Sequence, residues 1–275
     1  MRSQIESGAE LLARLSSKPS LFGLENTLFP EGPQNSDVIE IGGEQSTGKT
    51  LLLSQMLAKC ILPDYYGTIQ IEGCNASAIF INTDHHFQIS KLVELMSDVI
   101  DVTGIVSFAS NDKATEINSN KTAIIQNSLR NLRILDCYDN EQFSLTLRML
   151  DDMFLDNAKI ALLAIDSITA YYWQDREDNI STIDNYIRKL LKLIRTHTTR
   201  FNVVTIYTKL YENMHDKGKK STNQFLNNID YKIQLCRMHD SQHLACKLET
   251  IQTIRKIYYS ISLNGIKWEI EEGKG

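Results

Sequence analysis

Residues 37–61, DVIEIGGEQSTGKTLLLSQMLAKCI, constrain this chain more than any other stretch. A β-branched run (Val38, Ile39, Ile41) leads into a glycine-flanked loop, and the loop leads into apolar residues at helical spacing. Gly43, Glu44, Gln45, Ser46, Thr47, Gly48, Lys49 and Thr50 satisfy G-x-x-x-x-G-K-[ST] at every fixed position, between a strand and a helix. In that setting the loop N–H groups and the helix N-terminus form a concave site for a triphosphate. Lys49 is expected to pair with the outer phosphates, and the Thr50 hydroxyl to ligate Mg²⁺. The chain is built to bind a nucleotide.

The remainder alternates strand and helix signals. An apolar strand, 78–81, stops at Asn82-Thr83-Asp84, and 87–100 repeats apolar residues at helical spacing. The polar tract 111–131 reads as a surface loop with a short helix. A strand at 132–135 and a helix at 140–156 follow, and then the apolar run 160–167 carries Asp166 near its end. Such a run marks a central parallel strand covered on both faces. A helix at about 180–199 and a strand at 202–207 complete the alternation, and short alternating strands fill about 228–271. The pattern predicts an α/β doubly wound fold, a mostly parallel sheet flanked by helices with antiparallel C-terminal edge strands. Ahead of it, 6–16 reads as a short amphipathic helix and 17–36, with its prolines, as an extended lead-in. The expected organisation is residues 1–36 as lead-in and 37–275 as one core domain.

Composition narrows the class. The chain is 42% hydrophobic and 23% charged, the mix of a globular protein. No apolar run reaches the roughly eighteen residues of a membrane span, so no membrane partner is expected. Charged residues stand where a secretory signal would be apolar, and the five cysteines are scattered, which suggests reduced thiols in the cytosol or nucleus. A net charge of −5 excludes a general polyanion binder, so any nucleic-acid contact must come from local basic patches.

Asp166 ends its strand at the sheet edge that carries the phosphate loop, where open parallel sheets bind ligands, and it is positioned to hold Mg²⁺. Asp84, at the end of another strand, reads either as the group that orients an attacking water or as a helix N-cap. Cys236, His239, His243 and Cys246 have ligand-like intervals. Their compact palindrome favours a strand, turn and strand with core cysteines, and no structural metal.

The segments GEQSTGKT, AIFINTD, LLAIDSITAYYW and FNVVTIYTK resemble, in order and spacing, the core of RecA-type recombinases. The chain is similar to the eukaryotic paralogues of that recombinase over about residues 6–210, the likeness thinning in the C-terminal strands. The resemblance implies a RecA-like phosphate-loop NTPase core that uses ATP and Mg²⁺ at Gly43 to Thr50 and Asp166. Asp84 stands in the position of the family's catalytic glutamate, and Lys209 in that of a γ-phosphate-sensing glutamine. The first departure weighs against ATP turnover; at the second, a lysine can touch phosphate but does not reproduce the glutamine's hydrogen-bond relay to the DNA loop. The first DNA loop corresponds to the tract around Arg176, with Asp175, Glu177 and Asp178 beside it; the second carries Lys217, Lys219 and Lys220. The family's Phe-x-x-Ala docking segment has no match, since Phe22 precedes Gly-Leu-Glu. The expectation is an ATP-binding accessory subunit, terminal in a hetero-oligomer of recombinase paralogues. It would assist recombinase loading on single-stranded or branched DNA during nuclear repair of double-strand breaks and stalled forks. The alternative is an active DNA-stimulated ATPase with strand-exchange activity.

Overall fold

β1 (Val38–Gly43) and α1 (Lys49–Ile61) bracket the glycine loop, as the spacing predicts. The computed structural model describes residues 7–9, 13, 17–67, 69–106, 111–174, 182–210, 229–238 and 244–269. Leu52, Leu53, Met56, Leu57, Cys60 and Ile61 bury one side of α1 against the sheet. The other large strands are β4 (Ser77–Asn82), β5 (Leu132–Asp136), β6 (Ile160–Asp166) and β7 (Val204–Leu210). They are followed by β8 (Tyr231–Arg237), β9 (Leu244–Thr250), β10 (Ile254–Ser262) and β11 (Gly265–Glu269). A two-strand ribbon, β2 (Tyr65–Tyr66) with β3 (Ile69–Gln70), stands apart.

The sheet order is β11-β10-β9-β8-β1-β7-β6-β4-β5. Every pairing from β5 across to β8 is parallel, and β9, β10 and β11 add as antiparallel hairpins. The C-terminal strands thus join the edge as expected, except that β8 runs parallel to β1, with Ile39 beside Tyr231. Period-two alternation places a strand's side chains but does not give its direction.

Alternate residues of the central strands feed two cores. Ile39, Ile41, Ala78 and Phe80 face α1, α2 (Ile89–Val106) and α3 (Asn111–Leu129). Val38, Ile79, Ile81, Leu163 and Ile165 face α4 (Asn140–Arg148), α5 (Leu150–Asp156) and α6 (Ile183–Thr198). Helices on both faces explain why these strands carry apolar residues on both sides along most of their length.

Three expectations need correction. The polar tract is a continuous helix, α3, whose C-terminal half inserts Ile124 and Ile125 into the core and ties Lys121 to Asp101 of α2 at 2.6 Å. The expected helix over 140–156 is two helices, broken at Met149. The lead-in turns instead of running extended, because Leu21, Leu24, Leu28 and Phe29 pack into the first core, Phe29 edge-on to Tyr231 at 4.9 Å. Of the N-terminal helix, residues 8, 9 and 13 are helical and the rest lies outside the described residues.

Candidate nucleotide site

The loop's shape follows from where its glycines sit. β1 lies between β7 and β8, so Gly43 is flanked by Leu210 and Leu235. A Cβ on Gly43 would stand 2.5 Å from the Leu235 carbonyl oxygen, a distance no side chain tolerates. Ser46 (φ 59°) and Gly48 (φ 92°) take left-handed conformations that turn the chain back onto α1. The Glu44 carbonyl accepts the Thr47 hydroxyl at 2.9 Å and the Lys49 ammonium at 2.8 Å. Around this loop opens a cavity of about 660 Å³, lined among others by Ser46, Lys49, Thr50, Asp84, Ser167 and Trp173. That volume accommodates a nucleotide.

Asp166, at the end of β6, is 1% exposed. One carboxylate oxygen accepts the Thr50 hydroxyl at 2.8 Å, and the other accepts the Thr208 hydroxyl. Burial pushes its carboxyl up; the Thr208 and Thr50 hydrogen bonds oppose that shift, Asp84 adds to it and Lys49 offsets it. Burial likewise lowers Lys49, with Asp166 and Asp84 pulling it back. The Thr50 hydroxyl and the Asp166 carboxylate, with Asp84 within electrostatic reach, form a hard oxygen donor set that fits Mg²⁺.

The Asp166 carbonyl accepts the N–H groups of Thr83 and Asp84, at 2.8 and 2.9 Å. This ties the end of β4 to the end of β6 and sets Asp84 in the cavity wall. α2 begins at Ile89, so Asp84 is not its N-cap, and that half of the sequence expectation is withdrawn. The intervening turn sends His86 into the cavity wall and stacks His85 on Tyr138 at 4.5 Å.

Lys209 takes a different course. Its ammonium lies 2.9 Å from the Glu40 carboxylate, and the Tyr207 hydroxyl donates to the same oxygen at 2.6 Å. Glu40 and Lys209 are 1% and 7% exposed, so this is a buried pair within the sheet. The strand residue that reaches the cavity wall is Leu210.

Tyr171 and Tyr172 are packing aromatics, whereas Trp173 is 58% exposed at the cavity, edge-on to Tyr172 at 5.0 Å. Arg176, Lys217, Lys219 and Lys220 lie outside the described residues, as do His239 and His243. Cys246 opposes Leu235 and Cys236 opposes Ala245, which puts the two cysteines on opposite faces of the sheet. Sequence reasoning passed over Thr208 and Glu40. A threonine at a strand end was visible, but which acid it would meet depends on the order of strands.

Over 221 residues the chain is 30% identical to the DNA repair protein XRCC2 of Mus musculus, covering 78% of this chain and 71% of that one. The XRCC2 homolog of Arabidopsis thaliana is 24% identical over 263 residues, covering 83% and 70%. No protein-family model matches. The crystal structure of the RadB recombinase superposes with a TM-score of 0.60 over 91% of this chain and 97% of its own, at 15% identity, which shows a shared RecA-like fold. The chain belongs to the family of the DNA repair protein XRCC2.

Proposed function

We propose that this protein is an ATP-binding accessory subunit of a recombinase-paralogue complex. It serves homologous recombination repair of double-strand breaks and stalled replication forks in the nucleus, helping to load the recombinase on single-stranded or branched DNA. The observation that carries the reading is the contrast between its binding and turnover groups. The phosphate loop, Lys49, Thr50 and Asp166 form a connected cradle. The family glutamate is replaced by the shorter Asp84, and Lys209 is held by Glu40.

In this reading Gly43 to Thr50 hold the phosphates of ATP, and Thr50 and Asp166 hold Mg²⁺. The ion, when bound, neutralises charge on the phosphate oxygens. Nucleotide that contacts one assembled state more than another favours that state without being hydrolysed. Phe22 is followed by Gly-Leu-Glu, which supports a terminal place in the assembly. Contacts to DNA from Arg176, Lys217, Lys219 and Lys220 belong to this proposal.

The test is equilibrium ATP binding with Mg²⁺ by the wild-type chain and Lys49→Ala. Loss of one charge-assisted contact is expected to weaken binding by about 10- to 100-fold. Equal affinity in the two proteins would remove the basis of the reading. The second reading, an active ATPase, draws on the placement of Asp84 in the cavity wall with Lys49.

A further inference from the structure

We infer that Tyr259 is a positioning residue for the phosphate loop. From the C-terminal hairpin it fixes the peptide between Thr47 and Gly48, so that the Gly48 N–H is aimed at bound phosphate. This rests on the nucleotide-binding reading above. Tyr259 is 1% exposed, and its hydroxyl donates to the Thr47 carbonyl at 2.8 Å. In a planar trans peptide the C=O and the following N–H point in opposite directions. Anchoring the Thr47 oxygen against β10 therefore turns the Gly48 N–H the other way, and Gly48 lines the cavity. An N–H held in place before the anion arrives costs no reorganisation on binding.

The hairpin also supplies the ground under the glycine. A Cβ on Gly48 would stand 3.2 Å from the Cδ1 atoms of both Ile261 and Ile266. Gln55 of α1 clasps β11 through one residue: it donates to the Ile266 carbonyl at 3.2 Å and accepts the Ile266 N–H at 2.8 Å. Loop, first helix and last hairpin are thus tied into one unit across the length of the chain. Burial pushes the Tyr259 phenol up, so the donor keeps its proton through the physiological range.

The experiment is titration calorimetry of ATP, pyrophosphate and adenosine into the wild-type chain and its variants. Tyr259→Phe removes the hydroxyl and keeps the ring. Tyr171→Phe is the matched control, because its hydroxyl also donates to a backbone carbonyl, that of Cys137, outside the loop. Tyr259→Phe is expected to weaken ATP and pyrophosphate by about three- to tenfold and to leave any adenosine binding unchanged. Tyr171→Phe is expected to leave ATP affinity within about twofold of wild type. If Tyr259→Phe does not fold, Gln55→Ala, which releases Ile266 from α1, should weaken ATP in the same direction. Wild-type affinity in the folded variants, with Lys49→Ala unable to bind, overturns the inference and leaves the nucleotide reading standing. Equal losses in Tyr259→Phe and Tyr171→Phe overturn it as well, since they mark a general loss of stability. No ATP binding by the wild-type chain removes both.

Discussion

Where α1 meets β6, the Thr50 hydroxyl donates to Asp166, the Thr208 hydroxyl donates to its other oxygen, and Lys49 arches over the loop. Where β4 and β7 end, Asp84 stands exposed in the cavity wall and Lys209 is drawn back to Glu40 in the sheet. One region is a set of mutually oriented donors and acceptors, the arrangement that the proposed binding of phosphate and a metal ion calls for. The other has an acid in the cavity wall, but its cation is committed elsewhere. Binding an anion needs only a preorganised cradle, whereas hydrolysis also needs a group placed to within about an ångström of the attacking water. The two regions therefore vary separately, and a chain can keep the first while its second drifts.

The largest effect that would sharpen this contrast is structural. If Lys209 serves mainly to neutralise Glu40, Lys209→Met leaves a buried carboxylate without its ammonium. Urea unfolding should then show a loss of about 3 kcal/mol. Glu40→Gln added to Lys209→Met should recover most of it. A loss below about 1 kcal/mol, with altered ATP hydrolysis, would instead put Lys209 to work in the cavity.

The next effect separates function from stability at Asp166. Asp166→Asn is expected to weaken ATP in Mg²⁺ by about tenfold, measured by calorimetry. Its effect on the metal-free fold should have the opposite sign. Burial raises the folded pKa of Asp166, so the stability linked to its protonation is complete below about pH 4. That stability is lost as pH rises through the raised value. The ionised carboxylate thus costs stability at neutral pH, and the thermal midpoint of Asp166→Asn should exceed that of wild type there, the gap closing toward pH 4. A midpoint below wild type at neutral pH would mean that the two hydroxyl hydrogen bonds outweigh burial.

Sequence carried the cradle because its parts are contiguous or end an unmistakable strand: Gly43 to Thr50 are fixed by covalent spacing, and Asp166 by the apolar run before it. The RecA-like fold was legible for the same reason, through helices and strands whose apolar patterns alternate in order. What escaped depends on contacts between distant segments. Lys209 meets Glu40 because β7 lies against β1 in a register that sets Lys209 beside Gly42. Tyr259 meets Thr47 because the last hairpin folds under the first loop. Nothing local announces either meeting. Helix α3 escapes the pattern because its sequence is rich in Asn, Ser, Thr and Lys, and the residues that dock its C-terminal half, Ile124, Ile125 and Leu129, are too few to make an apolar stripe along it. The parallel direction of β8 escaped because a strand reads alike either way.

The measurement that bears most directly on the whole is single-turnover ATP hydrolysis by the purified chain, with and without single-stranded DNA and with paralogue partners. Lys49→Ala is the blank and Asp84→Asn the comparison. A chain whose binding wall is complete and whose turnover wall has drifted should bind ATP and release little phosphate in any of these settings, with Asp84→Asn close to wild type. Brisk hydrolysis by the chain alone, stimulated by DNA and abolished in Asp84→Asn, would contradict the account and make Asp84 the catalytic base of a working motor.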